Sequence, residues 1–225
     1  MENLQPLKEK ILLVCKILDR QGLLDGFGHV TMRLSENRIL STPKMPPGKV
    51  SMRDFIVLNM KGEKIEGSGE PNGEVPMHTS IYKVRPDVKC ILHYHPDELI
   101  ALSIAGQEVK VVANCGAFFY RGTPIFDSSA LIRTEALGDQ MARALGDRNV
   151  VLLRGHGATV VADDLDELLR LGISLVKTAR IQIMASSLGT YKTHSEAECK
   201  AVVDVESGER GRRRFLDYYL SETLD

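Results

Sequence analysis

Two pairs of β-prone runs in this 225-residue chain are joined by links too short to hold a helix. Residues 29–34 and 38–42 are separated by Ser35, Glu36 and Asn37, and residues 150–153 and 159–162 flank Arg154, Gly155, His156 and Gly157. A parallel crossover needs a dozen residues or more, so each pair reads as an antiparallel hairpin. Around them the period shifts to that of helices. Leu7, Ile11, Leu12, Val14, Cys15 and Leu18 recur at helical spacing up to Gly22, and residues 75–84 form a helix opened by Pro76 and closed before Pro86. Residues 131–145 and a long run from Asp164 to Leu188, with Glu167 completing a capping box, are the other predicted helices. Residues 55–59, 90–95 and 109–113 are predicted strands. The expected class is therefore α/β or α+β, one domain over residues 1–225, with a mostly antiparallel sheet.

Composition narrows the function. The chain has 29 basic and 30 acidic residues, a formal net charge of -1, which lacks the cationic surplus that displaces counterions from phosphates. No nucleic-acid partner is expected. Hydrophobic residues at 43% and charged residues at 26% suit a globular core rather than disorder. Cys15, Cys90, Cys115 and Cys199 form no CxxC pair, so they read as buried thiols of a cytoplasmic protein. The N-terminal segment lacks a signal peptide's order of parts, and no run reaches the roughly 20 apolar residues of a membrane span. No membrane partner is expected.

His93-Tyr94-His95 carries the strongest chemical signal. Strand alternation puts both imidazoles on one face, about 7 Å apart along the strand, a spacing from which two rings can converge on one cation. His156 is the natural third ligand, since a histidine between glycines at a tight tip is an unusual way to place an ordinary side chain. Glu74, near a helix start, can serve as a carboxylate ligand or a general base. Zinc and related divalent ions favour such imidazole sets, and manganese, iron or cobalt fit the same donors. His78, four residues after Glu74, can orient it or can be an ordinary buried histidine. His194 reads as solvated. Gly26-Phe27-Gly28 lacks the third glycine of a dinucleotide fingerprint and reads as a turn. Arg121, Arg133 and Arg154 can bind a substrate carboxylate, although surface ion pairs are the commoner fate of arginines.

The segment Gly73-Glu74-Val75-Pro76-Met77-His78, continuing through Ile81-Tyr82 and Arg85-Pro86-Asp87-Val88 to His93-Tyr94-His95, resembles the signature block of the class II aldolase and adducin family. Arg154-Gly155-His156-Gly157 resembles its second block, and Gly28 to Arg33 its early Gly-x-x-Ser-x-Arg strand. The resemblance covers roughly residues 10–190. It implies a three-layer αβα fold with a central, mostly antiparallel sheet, a divalent metal on His93, His95 and His156, and Glu74 as the adjacent acid or base. It also implies a small-molecule substrate and a homotetramer with sites at subunit interfaces.

Departures from the sugar-phosphate aldolase pattern redirect the expected chemistry. His29 replaces an Asn, Pro43-Lys44 replaces a Thr-Gly phosphate loop, and Asn72-Gly73 replaces a serine pair. The aldolase proton-donor tyrosine falls near Ile125, with Tyr120 displaced. Gly28-His29-Val30-Thr31 with the second block looks more like the family's decarboxylase-type members. The expectation is a metal-dependent lyase that decarboxylates a hydroxy-aromatic or β-keto acid through a metal-stabilised enolate. Glu74 would be the proton donor, with a pKa raised by burial, and His29, Lys44 and Arg154 would hold the substrate's polar groups. The alternatives are an aldolase cleaving a small sugar phosphate, a non-catalytic adducin-like binding protein, and an oxygenase using ferrous iron.

Overall fold

The computed structural model describes residues 3–221. In chain order the first half runs α1 (Gln5–Arg20), β1 (His29–Ser35), β2 (Arg38–Ser41), β3 (Ile56–Leu58), β4 (Lys64–Glu66), α2 (Val75–Val84), β5 (Cys90–Tyr94) and α3 (Asp97–Ile104). The second half runs β6 (Ile125–Phe126), α4 (Glu135–Leu145), β7 (Val150–Leu153), β8 (Gly157–Ala162), α5 (Leu165–Ser187), α6 (Glu196–Glu206) and α7 (Glu209–Ser221). The strands make one sheet in the order β4-β3-β2-β1-β5-β8-β7-β6. Only the β6–β7 pair is parallel. The two expected hairpins are β1–β2 and β7–β8.

Strand alternation divides the core into two layers. Val30, Leu40, Cys90, Leu92, Tyr94, Val150, Leu152, Ala158 and Val160 pack with α1, α3 and α5. Ile39, Ile56, Ile91, Val151, Leu153 and Val161 pack on the other face with Val75, Met77, Ile81 and Tyr82 of α2 and Met141 and Leu145 of α4. Residues of opposite parity on one strand thus meet different helices. This is the expected three-layer arrangement, and it leaves His29, Thr31 and His93, which alternate with Val30, Leu92 and Tyr94, on the face covered by α2.

Three local expectations need correction. Residues 109–113 form no strand, because their backbone groups bond to side chains and a loop: Val109 N–H donates to Thr123 Oγ1 at 2.8 Å, Lys110 N–H to Gln182 Oε1 at 2.7 Å, and Val111 O accepts from His194 N–H at 2.7 Å. The helix expected from residue 131 starts at Glu135, where Thr134 caps it by accepting from Leu137 N–H. Asp164 caps α5 through Glu167 N–H at 2.8 Å, but the Glu167 carboxylate pairs with Arg170 instead of closing the box. Cys15, Cys90 and Cys199 are buried free thiols, Cys115 is half-buried, and burial pushes the Cys15 pKa up to about 12. Among the described residues no helix is long and apolar enough to cross a membrane.

Candidate metal and acid–base site

Register places the histidines. On β1 and β5, His29 stands directly opposite His93, and on β5 and β8, His93 stands opposite Thr159. His95 lies one residue past β5. His156 occupies the β7–β8 turn between Gly155, whose φ is +67°, and Gly157, whose φ is +150°. A Cβ at Gly157 would lie 2.3 Å from Tyr94 O and 3.1 Å from His95 Cα, so only glycine lets the turn close against the end of β5. The His95 and His156 rings stack with centroids 5.2 Å apart, and each lies within 5 Å of the His93 ring.

Hydrogen counting shows what this cluster can hold. His93 Nδ1–H donates to Ala158 O at 3.0 Å, and His95 Nδ1–H donates to the Asp25 carboxylate at 3.1 Å. A neutral imidazole carries one N–H, so both Nε2 atoms are bare lone pairs. They nevertheless face each other at 2.9 Å. Two lone pairs so close repel unless a proton or a metal ion is shared between them. One ligand nitrogen from each of His93, His95 and His156 lies within 4.8 Å of the others, so the donor set fits a divalent ion. Asp25 fixes the orientation of His95, the part a carboxylate plays behind histidines that bind metals. Burial would raise its pKa, but the Phe27 N–H and His95 outweigh burial and hold it below the ordinary value.

Glu74 sits at the N-cap position of α2 yet makes no side-chain cap. Its Oε1 instead accepts from Ile132 N–H at 2.8 Å, while Oε2 lies 3.6 Å from His156 Nε2 and 3.9 Å from His93 Nε2. Residues 131–134 stay out of α4 while Ile132 makes this contact. Burial pushes the Glu74 pKa up, as expected from the sequence, but the adjacent His156 imidazole and the Ile132 N–H push harder the other way. The net direction is below the ordinary carboxylate range, opposite to the expectation, and Glu74 is held as a carboxylate.

The remaining sequence candidates are dispersed. His29 is buried beside the cluster, with its ring centroid 5.0 Å from that of His93. Lys44 is exposed and its backbone N–H donates to Glu70 O at 2.8 Å. Arg154 is in the His156 turn, its guanidinium paired with Asp127. Arg121 pairs with Asp147, and Arg133 lies against Gly73. His78 is fully buried and bonds to His29 rather than orienting Glu74, while His194, expected to be solvated, is half-buried and bonds to Asn114. Asp25 and Ile132 were assigned no part in the site from the sequence, and Thr31 and Tyr82 were read only as motif residues. Asp25 is 70 residues from His95, and nothing local marks the pairing.

The family model described as Class II Aldolase and Adducin N-terminal domain matches residues 9–183. The 3,4-dihydroxyphthalate decarboxylase of Arthrobacter keyseri is 31% identical over 199 residues, covering 81% of this chain and 79% of that protein. The 5-deoxy-D-ribulose 1-phosphate aldolase of Bacillus thuringiensis serovar kurstaki is 27% identical, covering 87% of this chain and 92% of that protein. Among solved structures, L-fuculose 1-phosphate aldolase from Glaciozyma antarctica PI12 superposes with a TM-score of 0.84 at 21% identity, over 97% of this chain and 88% of that one, a likeness of fold. With the signature histidines gathered on one face of this sheet and the family model matching most of the sequence, the chain belongs to the class II aldolase and adducin family.

Proposed function

We propose that the chain is a metal-dependent carbon–carbon lyase that decarboxylates a hydroxy-aromatic or β-keto carboxylic acid. The observation that carries this reading is the convergence of His93 and His95 Nε2, 2.9 Å apart with each Nδ1 on its own acceptor, beside a Glu74 held as a carboxylate. His93, His95 and His156 would hold the ion, zinc being the first choice for three imidazoles. When bound, such an ion supplies Lewis-acid chemistry, drawing electron density from a substrate oxygen as the carbon–carbon bond breaks.

The direction of the Glu74 pKa sets the order of proton movement. From a hydroxy-aromatic acid the carboxylate first takes the substrate's hydroxyl proton, and the Ile132 N–H on Oε1 leaves Oε2 to do so. Glu74 then returns that proton to the carbon bearing the carboxylate. The bond to the carboxylate breaks, carbon dioxide leaves, and the electron pair stays with the ring. One hydroxyl hydrogen has become a carbon-bound hydrogen, and water restores the hydroxyl. His29, Lys44 and Arg154 remain the proposed substrate contacts.

A phosphorylated substrate is less well served. Pro43 has no N–H, and the Lys44 N–H is already given to Glu70 O. Two backbone donors that a phosphate loop would use are thus missing.

The test uses 3,4-dihydroxyphthalate, the substrate named for the Arthrobacter relative, and dihydroxyacetone phosphate in heavy water, each with zinc- or manganese-loaded protein. Metal-dependent carbon dioxide release, abolished in His95→Ala and Glu74→Gln, is the expected result. Deuterium uptake by the phosphorylated ketone without carbon dioxide release from the acid would replace this reading with a sugar-phosphate aldolase.

A further inference from the structure

Residues 131–134 cross beside Glu74 with one side chain buried and its neighbours exposed. Ile132 is fully buried and gives its N–H to Glu74 Oε1 at 2.8 Å, while Leu131 and Arg133 on either side are exposed. Arg133 N–H turns back to Leu131 O at 2.8 Å, and Thr134 caps α4. The backbone that carries Arg133 is thus tied to Glu74 on one side and to a helix on the other.

The side chain of Arg133 rests against the residue that precedes Glu74. A Cβ built on Gly73 would lie 3.4 Å from Arg133 Nε, 3.8 Å from its Cζ and 3.9 Å from its Cδ. A methyl group there would touch the guanidinium, and a longer side chain would displace it. The absence of a side chain at Gly73 therefore lets a cation lie beside the acid–base residue.

That cation is unspent. Of the three arginines that the sequence offers for a carboxylate, Arg121 pairs with Asp147 and Arg154 with Asp127. Among the described residues the Arg133 side chain makes no ion pair and no hydrogen bond. It does not pair with Glu74, whose Oε1 is held by Ile132 N–H and whose Oε2 lies 3.6 Å from His156 Nε2. A guanidinium presents a planar fork of donors that matches a carboxylate bidentately.

The chemistry decides which carboxylate it takes. Decarboxylation moves negative charge out of the departing carboxylate and into the ring. A guanidinium on that group would bind most strongly before the bond breaks and would hold the substrate back. The charge of Arg133 helps only on a carboxylate that stays.

We propose that Arg133 binds a second, retained carboxylate of the substrate, so that the acid consumed is a dicarboxylate. The proposal rests on the decarboxylase reading above and deepens it by naming the substrate class. Arg133 is a specificity-determining residue and moves no proton. With the retained carboxylate on Arg133 and the hydroxyl at Glu74, the substrate has one orientation, which selects the carboxylate that leaves.

The test compares two acids on zinc-loaded protein: 3,4-dihydroxyphthalate, with two carboxylates, and 2,3-dihydroxybenzoate, the same ring without the retained one. The wild type should prefer the first by roughly tenfold to a hundredfold in kcat/KM, the usual worth of a charge-assisted pair. Arg133→Gln should erase that preference through KM, with kcat for dihydroxyphthalate changed less than about threefold, and Arg133→Lys should keep part of it. Calorimetry with phthalate and benzoate, which have no hydroxyl to react, reads binding apart from turnover. Phthalate should bind more tightly than benzoate, and Arg133→Gln should remove the difference. Equal binding of the two by the wild type, or a preference that survives Arg133→Gln, would overturn the proposal. So would a variant that loses dihydroxyacetone phosphate and keeps phthalate, since the guanidinium would then serve a phosphate. If the wild type releases carbon dioxide from neither acid, the decarboxylase reading falls and calorimetry with phthalate decides on Arg133 alone.

Discussion

At the scale of single residues, what decides this site is where each hydrogen goes. Asp25 shows it most directly. Its carboxylate takes the Nδ1–H of His95 and so would leave Nε2 for the proposed ion, while its Oδ1 also accepts from Phe27 N–H at 2.8 Å. Asp25→Asn keeps the turn's acceptor and removes the charge. Zinc affinity should fall about tenfold with the metal-free melting temperature unchanged, measured by competition against a chromophoric chelator; undiminished affinity would show that Asp25 does not set the His95 tautomer. Gly157 makes the opposite kind of contribution, through an absent side chain. In Gly157→Ala the new methyl meets Tyr94 O, and the backbone conformation alone costs about 1–3 kcal/mol. The variant should melt lower and lose metal, because the contact lies where the turn carrying His156 crosses the end of β5.

At the scale of elements, α2 couples the site to stability. It presents Glu74, His78 and Tyr82 along one stripe, and His78 is buried and neutral with a pKa of about 3 against an ordinary 6.5. The unfolded chain binds a proton there below pH 6.5 and the folded chain does not. Stability from this group is therefore complete above pH 6.5 and is lost as the pH falls toward 3, amounting to about 2 kcal/mol by pH 5. Urea unfolding in the presence of EDTA at pH 7 and pH 5 should show a smaller loss for His78→Gln than for the wild type; equal losses would mean His78 is not kept neutral by the fold. The same helix was fully legible in the sequence, since Pro76 and Pro86 bracket it and its boundaries follow from local chemistry. Residues 109–113 read as a strand because apolar alternation says nothing of partners, and here Thr123, Gln182 and His194 take the backbone groups. The start of α4 was misplaced for a related reason: Ile132 serves Glu74, a contact that no local pattern encodes. By contrast α6 opens with a full capping box at Ser195 and Glu198, a signal that was present in the sequence and unread.

At the scale of the whole molecule, the sheet brings together residues that the sequence keeps far apart. The three imidazoles were legible because His93 and His95 lie two residues apart at the end of β5 and the third on a hairpin tip; the hydrogen bonds from Tyr82 and His78 of α2 to Thr31 and His29 of β1 were not, because they exist only once α2 packs across β1. One face of the fold is left without a partner in a single chain. The first turns of α5 are buried against the sheet through Ala179, but its last turns expose Met184 at 53%, and Leu188 just beyond is exposed at 89%. Exposed apolar side chains on a helix that is otherwise core mark a contact surface. The fourfold assembly expected from the family resemblance would cover them, so light scattering on the metal-loaded chain should give four times the chain mass. Met184→Lys combined with Leu188→Lys should give a smaller particle whose circular dichroism is unchanged, because neither side chain supports the core. A wild-type chain that runs as a monomer would remove the assembly from the account and place every residue of the site within one subunit.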